Sequence, residues 1–522
     1  MILVFVIIVV LLYLLYLKSR MKFDYWKKRN VVYRSPKTIF GNFQDYILFK
    51  REPGFIEQEL CKCFPDAPYV GAFFGTEPAL IIKDPDIIKL VTTKDYYYFN
   101  GREGSDYSDK EVITQNLFFT YGDRWRVMRQ NMTPLFSLAK MKNMFPLIAN
   151  AVKALDSILE VDVSLSSTIE IRDLMSSYTM DCIGSCSFGV NTNTLSRSTE
   201  INPFKVIGKK MFVQSTFGGI RNMLRSMWPA IFYALGFQLF EKQVTNFFYS
   251  LLTGVFESRQ YSPSSRNDFV DLFLGLRKND FIFGDSISNL KTGKEQKINL
   301  KVDDDLVIAN CALIFGAGFE TSATTLSLTL FELAKNQEAQ KKAAADVDSY
   351  LQKHKEITYD CASGLPYLDA CVDETLRLYP LLTINRREVM EEYTFPSGLK
   401  VDRGVRIHLP VYYLHHNPEY FPEPEQYRPE RFLGEEKKNI RPYTYMPFGV
   451  GPRICIGMRF AKMQMLPGLV TILSKYRVEL AEGMHRTLQF DPKPITTHPI
   501  GGIYLKLIPR KSSCCHHSDL HG

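Results

Sequence analysis

Residues Ile2 to Leu17 are all apolar or Tyr, and the five that follow are Lys18-Ser19-Arg20-Met21-Lys22. A helix of that length spans about 24 Å at 1.5 Å per residue, slightly short of a bilayer core of about 27–30 Å, and snorkelling Lys and Arg close the gap. A cleaved signal peptide would begin basic and end in small residues; this stretch begins Met1-Ile2 and ends basic. The pattern therefore predicts a retained single-pass membrane anchor over 1–20, with the bulk of the chain on the cytosolic side, where positive charge stays. Residues 21–36, which include Trp26-Lys27-Lys28-Arg29, read as a basic juxtamembrane linker.

Between about 60 and 95 the text changes to short strands, Tyr69 to Phe74 and Ala79 to Ile82, separated by turn residues. From about 120 to 350 apolar positions recur at helical spacing, broken at 279–301 by a polar stretch that reads as a surface loop. From 380 to 455 closely spaced prolines exclude long helices and predict ordered loop with short strands. The expected fold is mainly α with a smaller β part, one folded body over 37–508. The tail, 509–522, reads as flexible, since Cys514-Cys515-His516-His517 sits at the extreme terminus.

Composition narrows the classes. The chain has 522 residues, 45% hydrophobic and 23% charged, with 37 Phe and 28 Tyr, enough to line an apolar cavity as well as fill a core. Net charge is +8 without a long Lys/Arg run, which argues against nucleic acid and for an acidic protein or anionic membrane as partner. The 10 cysteines show no Cys-x-x-Cys and no repeated spacing, so they read as reduced thiols facing the cytosol.

Two segments break their own pattern. Leu306 to Lys335 is a long apolar helix opened by Asp303, Asp304 and Asp305, yet its centre reads Gly316-Ala317-Gly318-Phe319-Glu320-Thr321. Two glycines there cost roughly 1–2 kcal/mol relative to alanine. Either they permit a close helix crossing, or they make room for a flat ligand while Glu320 and Thr321 handle protons. The second segment is Phe448-Gly449-Val450-Gly451-Pro452-Arg453-Ile454-Cys455-Ile456-Gly457, a rigid loop with close backbone approach. Burial raises a thiol's pKa, so a thiolate at Cys455 needs amide donors, a cation or a metal. Arg453 is the nearest cation, Phe448 can shield the sulfur, and Met458 to Lys475 can form a helix whose N-terminus faces it. Such a cysteine suits a haem axial ligand, against the alternative of a buried structural thiol. No His within fifteen residues could serve as base for a catalytic nucleophile.

The loop resembles the haem-binding signature of the cytochrome P-450 family, Phe-x-x-Gly-x-Arg-x-Cys-x-Gly, at every fixed position. Four further motifs occur in the family's order: Trp125-x-x-x-Arg129, Ala317-Gly318-Phe319-Glu320-Thr321, Glu374-x-x-Arg377, and Pro429-Glu430-Arg431-Phe432. The resemblance covers about residues 30 to 508, and the finer pattern is similar to the insect microsomal branch, related to the vertebrate drug-metabolising clan.

The resemblance implies a triangular prism of helices around a buried haem b, with Cys455 as the iron's thiolate ligand. Trp125, Arg129 and Arg453 would hold the haem carboxylates, with Arg387 a further candidate beside a surface role. Phe448 and Ala317 would lie against the cofactor, and Thr321 and Glu320 would be the catalytic pair. The Thr321 hydroxyl can bond the Ala317 carbonyl four residues back. Glu374, Arg377 and Arg431 would form a buried structural network. Substrate contacts are expected from the loop Asn100 to Thr120, Met211 to Phe217, Leu313, Phe319, and Leu381 to Ile384. Met223 to Phe240 reads either as core or as a segment dipping into the bilayer.

By the same resemblance the activity is that of a monooxygenase. It inserts one atom of dioxygen into small lipophilic substrates such as plant toxins or insecticides, at the endoplasmic reticulum membrane. No flavin or nicotinamide fingerprint appears, so electrons from NADPH would come through a flavoprotein reductase, with cytochrome b5 as a second donor, docking near Cys455 and the Arg124-Arg126-Arg129 helix. Within this class the alternative is an endogenous hormone, steroid or fatty-acid hydroxylase. Outside it stand a haem-thiolate isomerase or dehydratase and a non-catalytic haem-binding protein; the former typically lacks the acid–alcohol pair, which is intact here.

Overall fold

The computed structural model describes residues 20–197, 200–212 and 215–510, together with 6, 10, 13, 14, 16 and 17. Most of the expected anchor over 1–20, and the tail's Cys-Cys-His-His cluster, lie outside the described residues. Among those described, one helix is long and apolar enough to cross a membrane, Asp304–Lys335, and 78% of its apolar window is buried within the protein. It is therefore the central core helix, apolar on nearly every face because nearly every face is packed.

Asp303 starts this helix by accepting the Leu306 amide at 3.0 Å, as its position before an apolar run leads one to expect. It packs against helices Ile171–Phe188, Met458–Lys475 and Pro366–Leu378. Gln464 ties the bundle together: its side-chain amide reaches the Gly318 carbonyl at 2.7 Å and the Ser322 hydroxyl at 2.6 Å. Its own carbonyl accepts the Tyr178 hydroxyl at 2.8 Å. The stretch 380–455, read as loop and short strands, holds strands Asn385–Glu388 and Arg406–Leu409. These join Tyr69–Phe74 and Glu77–Ile82 in a four-stranded sheet beside the helices. The Tyr69–Phe74 and Glu77–Ile82 hairpin turns at Gly75, whose φ of 59° suits glycine.

One expectation is corrected. The polar stretch 279–301 is a β-hairpin, Phe281–Asp285 paired with Lys297–Lys301, because the helix beside it supplies what the isolated sequence lacks. Gln130 exchanges two 2.8 Å hydrogen bonds with Asp285, and Asn131 donates to the Phe283 carbonyl at 2.8 Å. The segment Met223 to Phe240 is partly core and partly exposed. Met223, Met227 and Phe232 are buried, while Ile231, Leu235 and Phe237, with Phe217 and Ile220 just before, present an exposed apolar face.

Candidate functional site

The loop before Cys455 is shaped by two glycines in the left-handed region, Gly449 at φ 72° and Gly451 at φ 70°. A Cβ on Gly451 would sit 2.1 Å from the Thr92 carbonyl oxygen, so no other residue fits there. The Cys455 amide donates to the Phe448 carbonyl at 2.8 Å, closing the loop. Phe448 itself is half-buried and packs on the main core. Immediately after, Gly457 caps the helix Met458–Lys475, and its amide donates toward the Cys455 sulfur. Burial is the largest influence on this thiol and pushes its pKa up; the Gly457 amide and the cations of Arg129 and Arg102 oppose it.

Cys455 is nonetheless accessible. A side chain both deep and accessible lines an internal cleft. The long helix also has one accessible stripe. Its residues from Leu306 to Ala334 are nearly all buried, except Leu313, Ala317, Gly318 and Thr321. Leu313, Ala317 and Thr321 are spaced by four and share one face. The Thr321 hydroxyl donates to the Ala317 carbonyl at 2.6 Å.

The glycines of this helix serve packing rather than the cleft. A Cβ on Gly316 would meet Met211 at 2.7 Å, and one on Gly318 would meet Ile183 at 2.7 Å. Of the two readings of the Gly-Ala-Gly centre, the close helix crossing accounts for the glycines, and Ala317 is the residue turned to the cleft. Phe319 likewise packs in a core aromatic cluster, with Phe315 at 5.2 Å and Phe212 at 5.4 Å. Glu320 also leaves the cleft: it is 4% exposed and pairs with Arg172 and His498.

Four arginines gather near the thiol, Arg102, Arg129, Arg387 and Arg453. Among the described residues none of them is paired with a carboxylate. Desolvation first, then mutual repulsion, depresses Arg102 well below the usual arginine range, and the same two causes bring Arg387 to about 10. Arg387 is 1% exposed, so the surface role weighed for it does not hold; its Nη1 bonds Asn385 at 3.1 Å and the Arg386 carbonyl at 2.8 Å, and its Nε is unpartnered. Arg453 is not the thiol's cation. It reaches the carbonyls of Asn100, Thr120 and Leu117 at 2.6, 2.7 and 3.3 Å and the Tyr96 hydroxyl at 3.2 Å, with its guanidinium 4.2 Å over the Trp125 ring. Trp125 is 3% exposed, and among the described residues no acceptor meets its indole N–H or the Arg129 guanidinium.

Unpaired buried cations are costly, and a group carrying two carboxylates would relieve them. Among the described residues no three His, Cys, Asp or Glu side chains converge as a metal site. A metal on Cys455 would therefore bring its remaining ligands with it. A deep accessible thiol, an amide-lined helix start, an accessible apolar stripe and a rim of unpaired guanidinia fit an iron porphyrin with two propionates.

Sequence reasoning missed Arg102, which lies in an irregular loop with no periodicity to mark it. It is held by the Phe118 carbonyl at 3.3 Å and lies 4.1 Å from the Phe118 ring centroid. Arg172 and His498 were missed too, since they are far from Glu320 in sequence. The Arg124-Arg126-Arg129 helix is not a free basic face. Arg124 bonds Gln115 at 3.0 Å, Arg126 lies 3.6 Å from Asp285, and Arg129 is half-buried. The Glu374 network forms as expected: Arg377 grips the carboxylate at 2.7 and 2.8 Å, and Arg431 joins at 3.3 Å, all buried.

The family model described as Cytochrome P450 matches residues 33–506. The chain is 34% identical over 504 residues to "Cytochrome P450 6B7" of Helicoverpa armigera, covering 96% of this chain and 97% of that protein. It is 34% identical over 494 residues to "Cytochrome P450 6B1" of Papilio polyxenes, covering 94% and 96%. It is 33% identical over 510 residues to "Cytochrome P450 6k1" of Blattella germanica, covering 96% of each. Cys455 and the accessible Leu313–Thr321 face are thus the expected lining of a haem-thiolate centre, and the chain belongs to the cytochrome P450 family of monooxygenases.

Proposed function

We propose that the protein inserts one atom of dioxygen into small lipophilic substrates, xenobiotics such as plant toxins or insecticides, using NADPH electrons delivered by a flavoprotein reductase at the endoplasmic reticulum membrane. The observations that carry the reading are the deep yet accessible Cys455 and the one accessible face, Leu313, Ala317 and Thr321, on a helix otherwise buried. When bound, haem b supplies the one-electron and dioxygen chemistry, which no side chain here can supply.

Cys455 is the iron ligand in this reading. The Gly457 amide and the Arg129 and Arg102 cations favour its thiolate against the cost of burial. Trp125 and Arg129 have donors free for the propionates, with Arg102 beside them, while most of the Arg453 donors are spent on holding the 96–120 segment in place. Leu313, Ala317 and Thr321 give substrate an apolar wall with one hydroxyl. The Thr321 hydroxyl, parked on the Ala317 carbonyl, can turn to donate a hydrogen bond into the cleft. Glu320 rests as a carboxylate, since His498 and Arg172 together outweigh its desolvation and hold its pKa below the usual range.

The reductase reading keeps an acidic partner but moves its contact away from the three arginines. Arg459, four residues past Cys455, is exposed and stands on the proximal helix. The exposed apolar face of Phe217, Ile220, Ile231, Leu235 and Phe237 supports membrane contact. The test is reconstitution with NADPH and reductase: NADPH consumption with a hydroxylated lipophilic product supports the reading. Conversion of an organic peroxide with no NADPH consumed contradicts it.

A further inference from the structure

The helix Gly122–Met132 carries Trp125 and Arg129 one turn apart on one face. Asp123, Val127 and Gln130, spaced by four and three, form a second stripe roughly 100–160° around the helix from that pair. This second stripe meets the hairpin Phe281–Asp285 and Lys297–Lys301. Asp123 accepts from the Ser286 hydroxyl at 2.9 Å and from the Ile287 amide at 2.6 Å. Gln130 Oε1 accepts the Asp285 amide while its Nε2 donates to Asp285 Oδ2, both at 2.8 Å. The approach is close enough to require a glycine. A Cβ on Gly284 would sit 2.5 Å from Gln130 Oε1 and 3.1 Å from Val127 Cα.

The hairpin answers with the backbone of its inner strand. The Ser286 amide donates to the Gln296 carbonyl at 2.9 Å and the Val302 amide to the Asp280 carbonyl at 2.8 Å. That register puts alternate residues in the ladder and turns the backbone groups of Phe283 and Asp285 outward, toward the helix. Gln130 and Asn131 give those groups the partners a third strand would give, Asn131 donating to the Phe283 carbonyl at 2.8 Å. Asp285 stays ionised at this contact, since Lys297 at 2.6 Å, and then Gln130, bring its pKa down to about 2. The front of the helix has no such brace: among the described residues no acceptor meets the Trp125 indole N–H or the Arg129 guanidinium. We infer that Gln130 and Asp285 are positioning residues for the haem carboxylates. The hairpin backs the helix and fixes the depth and rotation at which Trp125 and Arg129 present their free donors. The inference rests on the reading of Trp125 and Arg129 as those donors.

The test is haem transfer from full-length holoprotein to excess apomyoglobin, a first-order rate that does not depend on how much of the sample has folded. Gln130→Ala is expected to speed transfer about tenfold, the effect of two hydrogen bonds lost. Asp285→Ala should do the same, and Asp285→Asn, which keeps an acceptor for Gln130, should restore most of the difference. General loosening of the protein would also speed transfer, so the deciding measurement is a double-mutant cycle. In an Arg129→Gln background, Gln130→Ala is expected to add less than about twofold, because the group it positions is gone. Equal acceleration in both backgrounds, or a wild-type rate in Gln130→Ala, overturns the proposal alone. A wild-type rate in both Arg129→Gln and Trp125→Phe overturns the donor reading and the proposal with it. Amide exchange at Asp285 in the haem-free protein reads the brace without the cofactor. It should quicken in Gln130→Ala, and exchange that stays unchanged overturns the proposal.

Discussion

The Met446 amide donates to His415 Nε2 at 2.9 Å, while His415 Nδ1 lies 3.2 Å from the Arg377 carbonyl. One imidazole thus connects the buried Glu374–Arg377–Arg431 network to the loop that presents Cys455. Since Nε2 accepts, the ring proton sits on Nδ1 and donates to the Arg377 carbonyl, and the ring is neutral. Arg377 returns the contact, donating to the His415 carbonyl at 2.9 Å.

This link is sensitive to acid. Burial, aided by the cations around it, pushes the His415 pKa well below its ordinary 6.5. Between that depressed value and 6.5 the unfolded chain binds a proton that the folded one refuses, so stability rises with pH across the window. The contribution is complete above about pH 6.5 and drains away as pH falls below it. Hydrogen exchange of the loop from Met446 to Cys455, corrected for intrinsic rates, should lose protection as the solution is acidified from pH ~7.5 to ~5.5. Protection that stays level would show that His415 does not hold the loop.

Glu374 accepts from both Arg377 and Arg431 and from the Arg428 amide, with Glu374 and Arg377 fully buried. Glu374→Ala strands two guanidinia in the interior, and a loss of about 3–5 kcal/mol is expected from a broken buried pair. Denaturant unfolding measures it. A loss under about 1 kcal/mol, the value of a surface pair, would contradict the burial of this network.

The two faces of the long helix give opposite predictions. Gly318→Ala drives a methyl into Ile183 and should cost about 1–3 kcal/mol of stability while leaving the carbon monoxide spectrum unchanged. Ala317→Leu adds volume on the accessible face, so it should leave stability within about 1 kcal/mol and slow carbon monoxide binding to the reduced protein. Reversal of these outcomes would place the glycines, not Ala317, against the cofactor.

Arg102, Arg129, Arg387 and Arg453 repel one another when no anion lies between them. Arg102→Gln should therefore speed haem transfer to excess apomyoglobin by several-fold while leaving the haem-free protein no less stable. An unchanged transfer rate would remove Arg102 from the carboxylate rim.

Much of this was legible in the chain because local chemistry carried it. The Asp303 start of the long helix, the Gly449–Gly451 turn and the Thr321 to Ala317 bond all follow from residues within a few positions of one another. What stayed hidden depends on contacts distant in sequence. His498 is 178 residues from Glu320, and the 281–301 hairpin exists through its staples to Gln130 and Asn131. Arg453 was misjudged for the same reason. Proximity in sequence put it beside Cys455, but four acceptors from the 96–120 segment turn its side chain elsewhere.

The central claim is that Cys455 ligates a haem iron as thiolate, and the carbon monoxide difference spectrum of dithionite-reduced membranes carrying the protein tests it most directly. Wild-type protein should show a strongly red-shifted Soret band, and Cys455→Ser, folded to the same extent, should lack it. A red-shifted band that survives in Cys455→Ser, or no haem signal from well-folded wild type, would contradict the account.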